Sequence, residues 1–155
     1  MAILSSQQID SHLACFAETL RRLGLKVTHQ RMEIYKEVAS NSHHPDAETV
    51  YKAVKSRVPA VSLDTVYRTL CLLEKEDILH RIETSSDRAR FDADTSQHYH
   101  FICNNCSRII DFQSTELNEI QLPQSLEVLG EVRSYHVLAR GICAKCTGTT
   151  AHAEA

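Results

Sequence analysis

The chain has 155 residues, six cysteines, nine histidines and a formal net charge of −3. That length allows one domain or two small ones, and the composition is that of an ordinary globular protein. No apolar run approaches the roughly 20 residues a bilayer-spanning helix needs, and MAILSSQQID lacks the basic start of a secretory signal, so a cytoplasmic location is expected. In that compartment six cysteines point to metal ligands or free thiols before structural disulfides. Residues 1–92 carry 13 Lys/Arg and 13 Asp/Glu, and residues 93–155 carry 4 and 7. A nucleic-acid surface would therefore have to be a local basic face of the first half.

The first half reads as helices. Ile9, Leu13, Phe16, Leu20 and Leu23 recur at helical spacing up to Gly24. Thr28 is placed to cap a second helix with Ile34, Tyr35, Val38 and Ala39 on its apolar face. Pro45-Asp46 opens a third, whose buried side is Ala47, Val50, Tyr51, Val54 and Val58 and which Pro59 ends. Ser62 caps a fourth, SLDTVYRTLCLLEKED, with Leu63, Val66, Leu70 and Leu73 as its buried stripe. Arg68 lies almost opposite that stripe, with Thr65 and Lys75 beside it and Tyr67 at the edge. A helix anchored on one side and polar on the other suits a DNA groove, because Arg reads guanine edges while Tyr, Thr and Lys serve bases or phosphates. ILHRIE and RARFD then alternate as strands around Thr84-Ser85-Ser86-Asp87. Helices followed by a basic hairpin suggest a winged helix. Any small helical domain with a solvated basic face would show the same periodicity.

The second half reads as strands held by metal. Residues 93–97 are short and polar and are expected to act as a hinge between domains at 1–92 and 98–155. HYHFIC and RIIDF read as strands flanking a CNNC knuckle. STELNEIQ looks helical, with Leu117 and Ile120 inward and Pro123 at its end. A third strand is expected over residues 131–139, before Gly141 and a second knuckle, CAKC. The tail TGTTAHAEA has no apolar pattern and is expected to fray. Cys103-x-x-Cys106 and Cys143-x-x-Cys146 are two chelating pairs with 36 residues between them. Two such pairs favour one closed tetrahedral Cys₄ zinc site, which is structural because it leaves no open position. Two redox disulfides or unrelated thiols are the alternative. Cys15 and Cys71 stand on helical faces and read as buried or partly buried thiols, not ligands.

A second donor set interleaves with the first. His98 and His100 sit at i, i+2 and share one face of a strand. Asp111, on the neighbouring strand, approaches the same region, and Asp92 lies just before the hinge. Imidazole and carboxylate donors suit Fe²⁺, Mn²⁺ or Zn²⁺. His44, in His43-His44-Pro45, reads from the residues alone as a loop histidine.

The segments GLKVTHQR (24–31), HPDAETVYKAV (44–54), SLDTVYRTL (62–70), RFDADTSQHYHFICNNCSRIIDF (90–112) and GICAKC (141–146) resemble the ferric uptake regulator (Fur) superfamily over nearly the whole chain. The resemblance implies an α+β fold: an N-terminal winged-helix DNA-binding domain and a small C-terminal dimerisation domain with a Cys₄ zinc site. It also implies a homodimer on a near-palindromic double-stranded operator, without enzymatic activity. The chain looks most like the peroxide-sensing PerR branch, whose regulatory metal takes three His and two Asp. His44, Asp92, His98, His100 and Asp111 match those positions, and Cys103, Cys106, Cys143 and Cys146 match the zinc ligands. Fe²⁺ or Mn²⁺ would be the regulatory ion. Tyr67 and Arg68 would meet bases, and Arg21, Arg22, Arg31 and Thr65 phosphates or the minor groove. Iron-uptake members usually carry Glu where Asp92 and Asp111 stand, whereas Arg68 resembles that branch. An iron-uptake or zinc-uptake repressor is therefore the near alternative. A zinc hydrolase or thiol redox protein is the remote one, and the chain has neither a His-Glu-x-x-His helix nor a deaminase pattern.

Overall fold

The computed structural model describes residues 6–84, 88–121, 123–126, 128–132 and 135–148, with side-chain burial from residue 9 onward. The chain divides into two compact units, 1–95 and 96–155. Among the described residues no helix is long and apolar enough to cross a membrane.

In the first unit the order is α1 (Ser6–Arg22), α2 (His29–Ala39), α3 (Ala47–Arg57), α4 (Leu63–Lys75), β1 (His80–Ile82) and β2 (Arg90–Asp92). The helix starts are fixed by short polar side chains. Thr28 accepts from the Arg31 N–H, Asp46 from Thr49 and Ser62 from Thr65. Each such cap is worth about 1 kcal/mol because it satisfies a backbone donor that has no partner inside the helix. Val50, Val54, Val66, Leu70 and Leu73 are fully buried in one cluster with Leu20, Ile34 and Phe91. Phe16 stacks on Tyr35 with centroids 4.0 Å apart, which joins α1 to α2. Arg57 bridges Glu33 at 2.7 Å and Glu37 at 2.8 Å, which ties α3 to α2.

β1 and β2 pair antiparallel with His80 opposite Asp92 and Ile82 opposite Arg90, so the expected wing is present. Its tip at residues 85–87 lies outside the described residues. Leu63, expected on the buried stripe, is 45% exposed, because it opens α4 beside its cap.

In the second unit β3 (Tyr99–Cys103) lies between β4 (Ile109–Phe112) and β5 (Leu138–Gly141). β4 is antiparallel and puts Asp111 opposite His100, while β5 is parallel and puts Gly141 beside Cys103. A Cβ at Gly141 would lie 3.2 Å from the Phe101 ring, a tight contact to which the ring would have to yield by a few tenths of an ångström. The third strand was expected over residues 131–139 but begins at Leu138 and runs to Gly141. Its parallel partner fixes it there, because the β5 ladder follows β3 from His100 to Cys103. The helix expected over STELNEIQ is one turn, α5 (Thr115–Asn118), capped by Ser114. Ile120 is 38% exposed, not inward, because that turn has already ended. A 3-10 turn follows at Gln124–Leu126, and α6 (Ala144–Thr147) carries the second cysteine knuckle. Of the tail, residues 149–155 lie outside the described residues.

Candidate metal centre

The four cysteines come together. Their sulfurs all lie within 4.8 Å of one another, and the Cys106 and Cys143 Sγ atoms are 3.8 Å apart. A tetrahedron of about 2.3 Å zinc–sulfur bonds has edges near 3.8 Å, so the set fits that ion. The local folding explains the convergence. The Ser107 N–H returns to the Cys103 carbonyl at 2.9 Å with Ser107 in a left-handed conformation (φ 56°), which closes the first knuckle. The Cys146 N–H returns to the Cys143 carbonyl at 2.8 Å and closes the second. The strand pairing of β5 with β3 brings the knuckles side by side.

The electrostatics also ask for a cation. Backbone N–H groups of Cys143, Cys106 and Asn105 point at the Cys103 sulfur and lower its pKa to about 6, while burial works against them. Cys146 is pushed up to about 11: the Asn105 side chain favours its thiolate, but crowding by the Cys143, Cys106 and Cys103 sulfurs outweighs that. One thiolate is ready and the next is opposed, which is the behaviour of a like-charged cluster that a divalent cation resolves. None of the six cysteines is disulfide-bonded here, and Cys15, expected to be at least partly buried, is exposed while Cys71 is half-buried.

The imidazole and carboxylate donors form a group within each unit. In the first, His44 Nε2 is 3.3 Å from Asp92 Oδ2, and both residues are buried, at 2% and 5% exposure. His44 stands in the turn before α3 with φ 50°, in the left-handed region that non-glycine residues avoid. Asp92 ends β2, and its Oδ1 accepts from the Asp94 N–H at 2.9 Å. In the second unit, His98 Nε2 faces His100 Nε2 at 3.0 Å, and His100 Nε2 lies 3.6 Å from Asp111 Oδ1. His98 Nδ1 is 2.9 Å from the Ser96 carbonyl. A carbonyl accepts and cannot donate, so Nδ1 carries the proton there, and in a neutral His98 the Nε2 lone pair faces His100. A carbonyl behind a metal-ligating imidazole is the usual arrangement that fixes the ring and raises its basicity. Each group thus fits a hard-to-borderline divalent ion by donor type, orientation and burial.

Sequence reasoning missed two contributors. Ser96 orients His98 through its main chain, a role no side-chain pattern reveals. Arg90, read as part of a basic hairpin, reaches back to the His44 turn: its Nε donates to the His44 carbonyl and an Nη to the His43 carbonyl at 2.9 Å.

On α4, Val66, Leu70 and Leu73 face inward and Tyr67 is 52% exposed. An open concavity of about 510 Å³ lies between the start of α4 and the segment leading into α2, lined by Lys26, Thr28, Arg31, Asp64, Thr65 and Arg68 among others. Arg31 is held there by the Lys26 carbonyl at 2.6 Å, and Arg68 pairs with Asp64 at 3.0 Å. Arg21 and Arg22 are exposed in the last turn of α1 and do not line it.

Residues 22–138 match the model of the ferric uptake regulator family. The chain belongs to that family. It is 34% identical to the peroxide operon regulator of Bacillus subtilis over 87% of this chain and 93% of that one. The Helicobacter pylori ferric uptake regulator, described as having three functional metal-binding sites, superposes with a TM-score of 0.72 at 26% identity, covering 95% of this chain and 97% of that one. The peroxide stress regulator of Campylobacter jejuni superposes with a TM-score of 0.66 at 27% identity, over 83% and 97% of the two chains. The family likeness accounts for the winged helix, the second mixed unit and the cysteine cluster together.

Proposed function

We propose that this chain is a metal-dependent, DNA-binding transcriptional repressor that responds to peroxide. The observation that carries the reading is the pair of imidazole nitrogens facing each other at 3.0 Å, with the Ser96 carbonyl holding the proton on the far side of His98. His98 Nε2 accepts there, either from an Nε2–H of His100 or, with both Nε2 atoms deprotonated, alongside it on one shared cation. The Asp111 carboxylate 3.6 Å from His100 Nε2 adds a third donor of the same kind. The peroxide response follows from relatives named as peroxide regulators, 31–34% identical over most of the chain, and from donors that are all His or Asp.

In this reading Cys103, Cys106, Cys143 and Cys146 hold a structural zinc. His44 and Asp92 of the first unit, with His98, His100 and Asp111 of the second, hold one Fe²⁺ or Mn²⁺. The ligands then come from both sides of residues 93–97, which serve as a hinge between a DNA-binding domain at 1–92 and a dimerisation domain at 98–155. A state in which the five donors meet is favoured by the ion over states in which they do not, which is a population shift. Two copies of the chain associate through the second unit, where Ile110, Val132, Tyr135 and Leu138 leave apolar surface exposed. Their α4 helices address two half-sites of a near-palindromic operator. Tyr67 and Arg68 read bases, and Arg21, Arg22, Arg31 and Thr65 hold the backbone.

Fe²⁺ held by these donors would supply electrons for the reduction of peroxide, chemistry that Mn²⁺ held by the same residues would not supply. His44 and His98 are the ligands that resemblance to the peroxide-sensing branch marks to take up one oxygen atom, and an oxidised imidazole is a poorer donor. Mass spectrometry after peroxide treatment tests this. One added oxygen on His44 or His98 of the Fe²⁺ form, with loss of operator binding, is expected, and none on the Mn²⁺ form. Unmodified histidines with retained binding would leave an iron-uptake or zinc-uptake repressor, the first being the branch that Arg68 resembles.

A further inference from the structure

We infer that Arg90 is the positioning residue of the first donor pair, holding the His44 turn on the same strand that carries Asp92. This deepens the proposed reading and rests on His44 and Asp92 being ligands.

The contacts are consecutive. The carbonyls of His43 and His44 accept from the Arg90 guanidinium, and the Pro45 carbonyl accepts from the Phe91 N–H at 3.1 Å. The next residue, Asp92, meets the His44 ring itself at 3.3 Å. An isolated bridge between Asp46 and Arg90 extends the same run to the cap of α3. Three successive carbonyls of a turn are thus taken by two successive residues of β2.

The turn needs such a hold. At φ 50° His44 occupies the left-handed region that disfavours a non-glycine residue, and such a conformation persists where the surroundings over-determine it. Two main-chain carbonyls from adjacent residues call for a planar fork with two donors in fixed geometry. Arg supplies that fork, and Lys offers a point charge on a flexible stem. Both guanidinium contacts go to main-chain carbonyls of the turn, so this hold acts on the donor pair through the backbone. Because β2 is half of the wing, the wing and the His44 turn move as one piece. Any preference of the ion for one His44 geometry is then felt in the wing, and the reverse, by thermodynamic reciprocity.

The test is Mn²⁺ titration of the full-length, zinc-loaded chain, read by loss of the free-ion paramagnetic resonance signal. Arg90→Ala is expected to weaken Mn²⁺ binding at least about tenfold, the usual scale for losing a group that orients a ligand, and Arg90→Lys by less. Zinc content and the melting temperature of the Mn²⁺-free protein should stay at the parental values in Arg90→Lys. In a His44→Ala background, Arg90→Ala should add no further loss, because its effect runs through His44. A general weakening of the fold would add in both backgrounds. If His44→Ala weakens Mn²⁺ binding while both Arg90 variants bind as the parent does, this inference fails and the ligand assignment stands. If His44→Ala binds Mn²⁺ like the parent, both fall together.

Discussion

The two units reach a defined structure by different means. In the first, fourteen buried residues drawn from every helix and from β2 form one cluster, and no metal is needed to explain why α1 to α4 stay packed. In the second, the buried apolar residues among those described are Tyr99, Ile102, Cys103, Ile109 and Cys143, and two of these five are thiols of the cysteine cluster. A core that small cannot offset the entropy of ordering about 60 residues. A cross-link among the four sulfurs of the cysteine cluster would supply what that core lacks. In the proposed reading, coordination thus builds at one place in the chain and senses at another.

The strongest way to break this contrast is to remove the staple. Cys103→Ser, or prolonged chelation of zinc, should abolish amide protection across β3, β4 and β5 while the protected amides of α2 to α4 persist. Hydrogen exchange read by mass spectrometry reports both at once, and equal loss in the two units would show that they do not depend on zinc differently. Next in size, Leu70→Ala should cost the first unit about 2–5 kcal/mol, because Leu70 is fully buried in the helical cluster. Chemical denaturation of the zinc-loaded chain measures it, and a cost below about 1 kcal/mol would mean that the cluster is not what holds this unit.

A smaller effect sharpens the picture at the start of α3. Asp46→Ala removes a cap and should cost about 1 kcal/mol. Burial raises the Asp46 pKa, but hydrogen bonds from Thr49 and Arg88 and the charge of Arg90 outweigh that and set it below the ordinary carboxylate value. A depressed carboxylate stabilises the fold above its unfolded pKa, and the benefit is lost as pH falls through the lower folded value. The parent should therefore lose this contribution only in acid, below about pH 4, and Asp46→Ala should show a shallower loss there. The smallest effect is on α4. Asp64 and Arg68 pair at 3.0 Å but are 68% and 79% exposed, so Asp64→Ala should move stability by less than about 0.5 kcal/mol. It should instead strengthen DNA binding at low salt, by freeing Arg68 and removing a negative charge from the concavity. Gel-shift titration checks this, and unchanged affinity would mean that Arg68 is not at the interface.

Much of this was legible in the residues. The caps at Thr28, Asp46 and Ser62 were readable because a short oxygen-bearing side chain before an apolar period has one good use. The knuckles at Cys103 and Cys143 were readable because two chelating pairs satisfy one tetrahedral ion. Leu63 and Ile120 misled because periodicity gives the face a residue lies on and not whether the helix has a neighbour at that height. The third strand was placed too early because an alternating run does not say where its partner begins. His44 had no residue-level signal beyond its resemblance to the family pattern.

The sequence by itself determined the local periods, the caps, the wing and the pairing of cysteines, since these depend on neighbours within a few positions. Tertiary structure decided that β5 runs parallel to β3, that Ser96 turns the His98 lone pair toward His100, and that Arg90 grips the turn of His44. Those are contacts of main-chain carbonyls and of strands far apart in the chain, and every residue has the same carbonyl, so no pattern of side chains records which one will be used.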